Sequence, residues 1–164
     1  MNRIITLVTA GLLAVASPAL AGDTPAPEGA AVYFVNLSDG DTVKSPVTVI
    51  FGLEGMGVAP AGTDVDATGH HHVLIDRPPL GEGPTGAEEL NTSLPADEHH
   101  KHFGAGQTQT TLDLEPGAHT LQLVLGDMNH VPHDPPVTTT VSPSNVRFIL
   151  SSFLSCFPAR RLSG

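Results

Sequence analysis

Histidine is the residue type that offers the most chemistry in this chain, and its spacing is uneven. Three of the nine histidines are consecutive, and the apolar run that follows them ends at Asp76. If residues 70–76 form a strand, alternation places His70 and His72 on one face with Asp76, and His71 on the other face. Two imidazoles and a carboxylate would then share one side of a sheet, which predicts a metal site.

The other histidines form two further groups and one isolated position. Each group contains a pair spaced i, i+3, so two imidazoles from one loop can reach a common ion. Neutral imidazole is the commonest protein ligand for zinc, copper and nickel. We therefore predict a transition-metal site for copper or zinc with six candidate ligands, which are His70, His72, His99, His102, His130 and His133.

Each histidine also has an ordinary interpretation, and this alternative stays open. A single imidazole often caps a loop or hydrogen-bonds to a carbonyl group. His119 is in phase with Leu121 and Leu123, and His71 shares its strand face with apolar side chains, so packing roles are predicted for both. The alternative function is a cell-envelope interaction or structural module, in which the histidines form a hydrogen-bond network without metal.

Cysteine chemistry and enzyme signatures are sparse. Cys156 is the one cysteine, which excludes an intrachain disulfide and thiolate zinc sites. The sequence has neither a Gly-x-Ser-x-Gly elbow nor a His-Glu-x-x-His motif. Glu98 beside His99 is a candidate general base for a metal-dependent hydrolase, the third interpretation. We predict that the protein is not an enzyme and that it binds, buffers or delivers metal.

The first 21 residues are typical of a secretory signal peptide. Arg3 precedes an apolar run, and the segment ends in small residues at Ala19 and Ala21. The run is too short to span a bilayer, and no other run before residue 145 is long enough. We predict cleavage before Gly22 and a periplasmic or secreted protein.

The mature chain is strongly acidic. All 17 Asp and Glu lie between Gly22 and Ser144, where the basic side chains are Lys44, Arg77 and Lys101. This charge balance disfavours nucleic acid and anionic membranes and favours cations, although most of the acidity can be explained by solubility. The expected partners are a metal ion and, in the alternative, another envelope protein.

Short β-prone runs separated by turn signals predict the fold. Without a convincing amphipathic helix, they indicate an all-β protein with a single immunoglobulin-like β-sandwich and long loops over residues 31–142, after a flexible lead-in at 22–30. A closed barrel is the alternative. The six predicted strands are Ala31–Val35, Val47–Leu53, Gly69–Asp76, Thr108–Leu114, His119–Leu125 and Val137–Val141.

The turns also predict pairings. The first two strands are expected to pair antiparallel, and a hairpin is expected around Pro116-Gly117, between Thr108–Leu114 and His119–Leu125. Residues 77–106 form a long irregular connection, which is uncommon in a compact domain unless it is functional or tied down. Its histidines are candidates for that tie.

The tail at 143–164 is atypical, because an apolar run is followed by Arg160-Arg161. Three interpretations are an extra strand or helix on the sandwich, a short membrane-surface anchor, and a segment translated from a shifted reading frame. We favour the last, because the composition changes abruptly where a final strand would end.

Several blocks in this sequence resemble an exported bacterial family, domain of unknown function 4399, over about residues 32–141. Members are sometimes labelled as rod-shape-related, which implies no activity. The tail departs from the family pattern. The blocks are Phe51–Gly62, Thr68–Asp76, His102–Thr108, Leu121–Asp127 and Asn129–Pro136.

A looser similarity in layout is to the copper-resistance sandwich proteins of the periplasm. It consists of a strand after Asp39-Gly40-Asp41 and of a Pro116-Gly117 turn, with a histidine-bearing loop further on. The similarity implies copper as a possible ion and identifies no ligand.

Overall fold

The computed structural model describes residues 24–139 and 144–150, and the regular secondary structure in these ranges is almost entirely β-strand. The fold is an all-β, sandwich-like arrangement of curled sheets, as predicted. In these ranges the strands are β1 (Ala31–Phe34), β2 (Thr42–Ser45), β3 (Val47–Glu54), β4 (Gly57–Val58), β5 (Thr68–Ile75), β6 (His100–His102), β7 (Gln109–Leu112), β8 (Gly117–Gly126) and β9 (Ser144–Leu150), with a one-turn helix α1 (Gly86–Glu89).

The strands form two sheets. The smaller sheet has the order β1-β3-β7, and the larger has the order β2-β9-β8-β5-β4, with β6 also pairing with β5. Pairing is antiparallel except between β2 and β9 and between β4 and β5. Strand β5 therefore has β8 along one edge and both β4 and β6 along the other.

The predicted first pair is confirmed, because β1 and β3 are antiparallel, with Val32 opposite Leu53. The predicted hairpin is wrong. Strand β7 pairs with β3, whereas β8 pairs with β5 and β9, so the chain crosses between sheets after Leu112. Both strands turn an apolar face toward the same core, and alternation specifies the buried face without specifying the partner strand. The Ser45 hydroxyl donates to Asp113 and accepts from the Leu114 amide, which fixes this connection.

The core lies between the two sheets. Val49 and Phe51 of β3 face Val73 and Ile75 of β5, and side chains from several other strands and loops complete the cluster. Alternating residues of β3, β5 and β8 point inward, as a sandwich requires. The remaining fully or nearly fully buried members are Val32, Leu37, Phe103, Leu112, Leu121, Leu123, Leu125, Val137 and Phe148.

The outer face of β5 and β8 is covered as well. Leu74 and Val124 pack there against Leu80 and Leu94 from the long connection after β5. The Leu80 amide donates to Gln122 Oε1 at 2.8 Å. The irregular segment is thus tied down onto the sheet, and β5 is buried on both faces from residue 69 onward.

The predicted last strand is not formed in the residues that the structure describes. Residues 137–139 run beside β8 through a single bridge, and the Leu125 amide donates to the Val137 carbonyl. Instead, β9 at 144–150 lies between β8 and β2, so the sheet continues past residue 142. For these seven residues the structure agrees with the interpretation of an extra strand.

The predicted signal peptide and the tail beyond residue 150 lie outside the described residues. No helix within the described ranges is long and apolar enough to cross a membrane.

Candidate metal centre

Strand register places four histidines of β5 and β6 on the outer face of the sheet. His72 lies directly opposite His102 of β6, and Leu74 lies opposite His100. Residues that are directly opposite in an antiparallel pair share a face, so both β6 histidines stand on the side of the sheet that carries His70 and His72. The predicted alternation within 70–76 is confirmed for these residues, because His71 lies on the core face against Phe51, with ring centroids 5.2 Å apart.

Two glycines make room for the rings. Gly126 of β8 lies opposite His70, and a Cβ at Gly126 would stand 2.7 Å from His72 Nε2. A Cβ at Gly104 would overlap the His102 ring. Because a side chain at either position would invade the space that the imidazoles occupy, the sheet can gather several rings at this point.

A further histidine arrives from the loop after β8. His130 has a left-handed backbone conformation, with φ of 67°, and its Nδ1 lies 2.9 Å from His70 Nε2. His70 Nε2 also lies 3.0 Å from His72 Nε2. These three ligand atoms all lie within 4.8 Å of one another. We call His70, His72, His102 and His130 the histidine cluster.

His102 completes the cluster at its surface. Its ring centroid is 4.6 Å from that of His130 and 5.3 Å from those of His70 and His72. His70 and His72 are fully buried, His130 is half-buried and His102 is exposed. The cluster is therefore closed on the sheet side and reaches solvent on the side of His102 and His130.

His100 contacts the histidine cluster through His72. It is fully buried, and its Nε2 lies 3.2 Å from His72 Nδ1. When His72 Nδ1–H donates to His100, the lone pair of His72 Nε2 faces His70 and His130. A hydrogen bond on the second ring nitrogen is the usual way in which proteins fix the tautomer and orientation of a metal-binding histidine.

Burial and mutual proximity keep these imidazoles neutral. Burial, reinforced by the neighbouring rings, lowers the pKa of His70 to about 4 and that of His72 to about 2. Burial and the Arg77 charge lower the pKa of His100 to about 4. The pKa of His102 is also lowered, by burial and then by His130. At neutral pH these rings carry free lone pairs, which is the protonation state that metal binding requires.

The hydrogen bonds of the cluster are incomplete. A neutral imidazole has one N–H and one lone pair, so His70 Nε2 can satisfy one of its two neighbouring ring nitrogens. His70 Nδ1 and His100 Nδ1 are buried and have no hydrogen-bond partner among the described residues. Two ring nitrogens thus compete for His70 Nε2, which suits a site where a bound cation replaces these hydrogen bonds.

Two of the six predicted ligands do not join the cluster. His99 directly precedes β6. Its side chain is 52% exposed, and its ring N–H donates to the Ile75 carbonyl at 3.0 Å. His133 is fully buried, but its Nδ1 lies 3.4 Å from the Leu125 carbonyl and its ring lies against Gly69, away from His70. Neither i, i+3 pair therefore reaches the cluster as a pair, because only one histidine of each, His102 or His130, joins it.

The sequence pattern overlooked His100. It shares a face with His102 only because residues 100–102 form a strand. That strand is three residues long and lies inside an irregular segment, so no periodicity could indicate it. The His100-x-His102 spacing was the available signal.

Asp76, which alternation places beside His70 and His72, faces elsewhere. It has a left-handed backbone conformation just after β5, with φ of 52°, and its Oδ2 lies 2.7 Å from His119 Nδ1. The Glu115 carbonyl accepts from the other ring nitrogen of His119 at 2.8 Å. Burial alone would lower the pKa of His119, but these hydrogen bonds and the Asp76 charge together raise it.

Comparison with known proteins gives a family. The model of the family described as "Domain of unknown function (DUF4399)" matches residues 49–146, which is more than half of the chain. The chain belongs to this family. The matched DUF4399 region contains all four members of the histidine cluster. No curated protein and no solved structure matches the chain, and the looser similarity to copper-resistance proteins stays a prediction.

Proposed function

We propose that this DUF4399 protein is exported and binds one transition-metal ion, copper or zinc, through His70, His72 and His130, with His102 as a fourth ligand at the exposed rim. The observation that carries the proposal is the convergence of three ring nitrogens within 4.8 Å of one another. None of the described hydrogen bonds of the three rings goes to a carboxylate, so the lone pairs of these rings would be available to a cation.

The spacing of the nitrogens suits a first-row metal. A tetrahedral ion with metal–nitrogen bonds of about 2.0–2.1 Å separates its ligand atoms by about 3.3 Å. The two shortest separations here are 2.9 and 3.0 Å, and the rings would need to move apart by a few tenths of an ångström. The half-buried His130 can move away from His70 on its solvent side, whereas the fully buried His70 and His72 must separate within the face of β5.

The choice of ions follows from the ligand type. Imidazole suits zinc and copper, whereas magnesium and calcium prefer oxygen ligands. The His72–His100 contact would hold His72 with Nε2 toward the ion. The exposed His102 gives incoming ligands access to one side, which supports buffering or delivery of metal. Export rests on the signal-peptide pattern of residues 1–21.

Elemental analysis of the mature protein, purified untagged from the periplasm without chelator, tests the proposal. About one copper or zinc per chain is expected in the wild type and in His99→Ala, which removes an imidazole outside the cluster. The His70→Ala/His72→Ala variant is expected to contain none. A wild type that contains no metal, and takes up none on titration with copper or zinc, would overturn the metal proposal.

The second candidate is an envelope module in which the histidine cluster is structural. The ring separations of 2.9–3.2 Å favour it, because these are also hydrogen-bond distances. This candidate predicts that excess zinc or copper leaves the melting temperature unchanged and that an envelope partner is recovered equally with and without chelator.

A hydrolase gains no support from the geometry, since Glu98 is 86% exposed and lies beside His99, outside the cluster.

A further inference from the structure

The loop that carries His130 is built around one carboxylate. Asp127 is only 5% exposed, and its Oδ1 accepts hydrogen bonds from the Asn129 amide at 2.8 Å and from the Val131 amide at 2.9 Å. Its backbone carbonyl accepts from the His130 amide at 3.0 Å. Asp127 therefore bonds to the residue before His130, to His130 itself and to the residue after it.

This arrangement accounts for the unusual backbone of His130. A positive φ is uncommon outside glycine and persists only where the surroundings hold it. The two amides that flank His130 are held on one oxygen, which makes the chain turn tightly there. The turn directs His130 Nδ1 toward His70.

The N-terminal segment holds Asp127 in turn. Thr24 Oγ1 donates to the other carboxylate oxygen of Asp127 at 2.7 Å. The Thr24 carbonyl accepts from the Asp134 amide, and the Ala26 amide donates to the Asp134 carbonyl, both at 2.9 Å. Residues 24–26 are thus hydrogen-bonded to Asp127 and Asp134, which precede and follow His130 in the loop. Both oxygens of Asp127 accept hydrogen bonds, and neither lies among the ligand atoms that converge at the cluster, so this residue acts by position.

We propose that Asp127, held by Thr24, is the positioning residue of the metal centre and keeps His130 Nδ1 within reach of the ion. This inference rests on the proposed metal function. It assigns a role to two residues, Thr24 and Asp127, that lie outside the histidine cluster. The hydrogen bonds to the flanking amides, rather than the negative charge, carry the effect.

Zinc affinity, measured by competition with a chromophoric chelator, tests the role of the hydrogen bonds. Asp127→Ala is expected to weaken zinc binding by about 10–100-fold, as is usual when an outer-shell partner of a ligand is removed. Asp127→Asn retains an acceptor for both amides and is expected to bind zinc almost as the wild type does. Equal losses in both variants would overturn the assignment, because they would implicate the charge alone.

Thr24→Val is a milder variant, and Asp113→Ala is a matched control. Thr24→Val removes one hydrogen bond and is expected to weaken zinc binding less than Asp127→Ala does. Asp113 also pairs with a hydroxyl group, that of Ser45, but lies before the ten-residue β8 rather than after it. Asp113→Ala is expected to leave zinc affinity unchanged, and a loss as large as that of Asp127→Ala would overturn the proposal.

A double-mutant cycle shows whether Asp127 acts through His130. In a His130→Ala background, Asp127→Ala is expected to change zinc affinity by less than about twofold, because the group it positions is already gone. When cobalt is bound in place of zinc, the absorption spectrum of Asp127→Ala is expected to match that of His130→Ala. An undiminished loss in the His130→Ala background would overturn the inference while leaving the metal function intact. A wild type that binds neither zinc nor cobalt would overturn both.

Discussion

The two ends of β5 place histidines in opposite electrostatic settings. At its start, His70 and His72 face other imidazoles, and burial and the neighbouring rings lower the pKa of both. Just after its end, Asp76 faces His119, and the pKa of His119 is raised despite partial burial. The residue type is the same, so the neighbours decide whether the ring tends to hold a proton or to offer a lone pair.

The comparison indicates why only one end of β5 is proposed to bind a metal. The Asp76–His119 pair provides its own counter-charge, since protonated imidazole can meet carboxylate within the chain. The histidine cluster has lone pairs with no described carboxylate bonded to its rings, so a cation from outside is the natural complement. The predictions below test this contrast, from the largest expected effect to the smallest.

Acid is expected to destabilise the metal-free protein, because the buried histidines at the start of β5 and in β6 resist protonation in the folded state. In the unfolded chain these histidines protonate near pH 6.5, whereas His70 and His100 resist protonation until about pH 4 and His72 until about pH 2. The folded state therefore binds fewer protons below pH 6.5, and each such group lowers the free energy of unfolding by up to about 1.4 kcal/mol per pH unit. Urea denaturation at pH 7.5, 6 and 5 measures this loss. A flat profile from pH 7.5 to 5 would contradict the lowered pKa values.

Metal is expected to stabilise the folded protein. A zinc concentration 100 times the dissociation constant should raise the free energy of unfolding by about 2.7 kcal/mol, since the ion binds the folded site. Calorimetry with and without zinc measures the shift in melting temperature. His119→Ala should show the same shift as the wild type, and His70→Ala should show almost none. A shift that survives His70→Ala would locate the bound metal elsewhere.

A glycine-to-alanine substitution should have different effects at the two ends of β8. Ala at Gly126 would place a Cβ 2.7 Å from His72 Nε2, whereas Ala at Gly117 would place one at an ordinary 3.8 Å from His119 Nε2. Overpacking of this kind costs about 1–3 kcal/mol. Gly126→Ala is therefore expected to lower both stability and zinc affinity, and Gly117→Ala to alter zinc affinity little. Unchanged zinc binding in Gly126→Ala would contradict the close approach of β8 to the cluster.

His119→Ala is expected to have the smallest effect. Asp76 is 36% exposed, and partly exposed ion pairs contribute about 0–1 kcal/mol. Because the pKa of His119 is raised in the folded state, the contribution is present below pH 6.5 and is lost as the pH rises through the folded pKa. Stability of the wild type and of His119→Ala should therefore differ at pH 5.5 and converge at high pH. A gap that widens with pH would contradict this sign.

Much of the site could be predicted from short-range pattern. The run Gly69–Asp76 indicated a strand and separated His70 and His72 from His71, because side chains alternate about a strand. The i, i+3 pairs were less informative. In each loop one histidine joins the cluster and the other bonds to a backbone carbonyl, since loop residues have no fixed period.

Pairing between strands was harder to predict than their existence. Thr108–Leu114 and His119–Leu125 indicated strands with a turn between them, yet β7 and β8 lie in different sheets. A hairpin and a crossing between sheets bury the same alternate residues, so local hydrophobicity favours neither. The contacts of Ser45 with Asp113 and Leu114, which lie 68 and 69 residues further along the chain, belong to the crossing.

The sequence by itself determined which side chains could act as ligands, the all-β class and the faces of β5, because residue type and alternation are local properties. Its residue blocks also determined the DUF4399 membership. Only the tertiary structure decided which histidines meet. His102 and His130 reach His70 and His72 through the register of β6 and through a turn held by Asp127. These depend on backbone hydrogen bonds between distant segments, and no local spacing encodes such bonds.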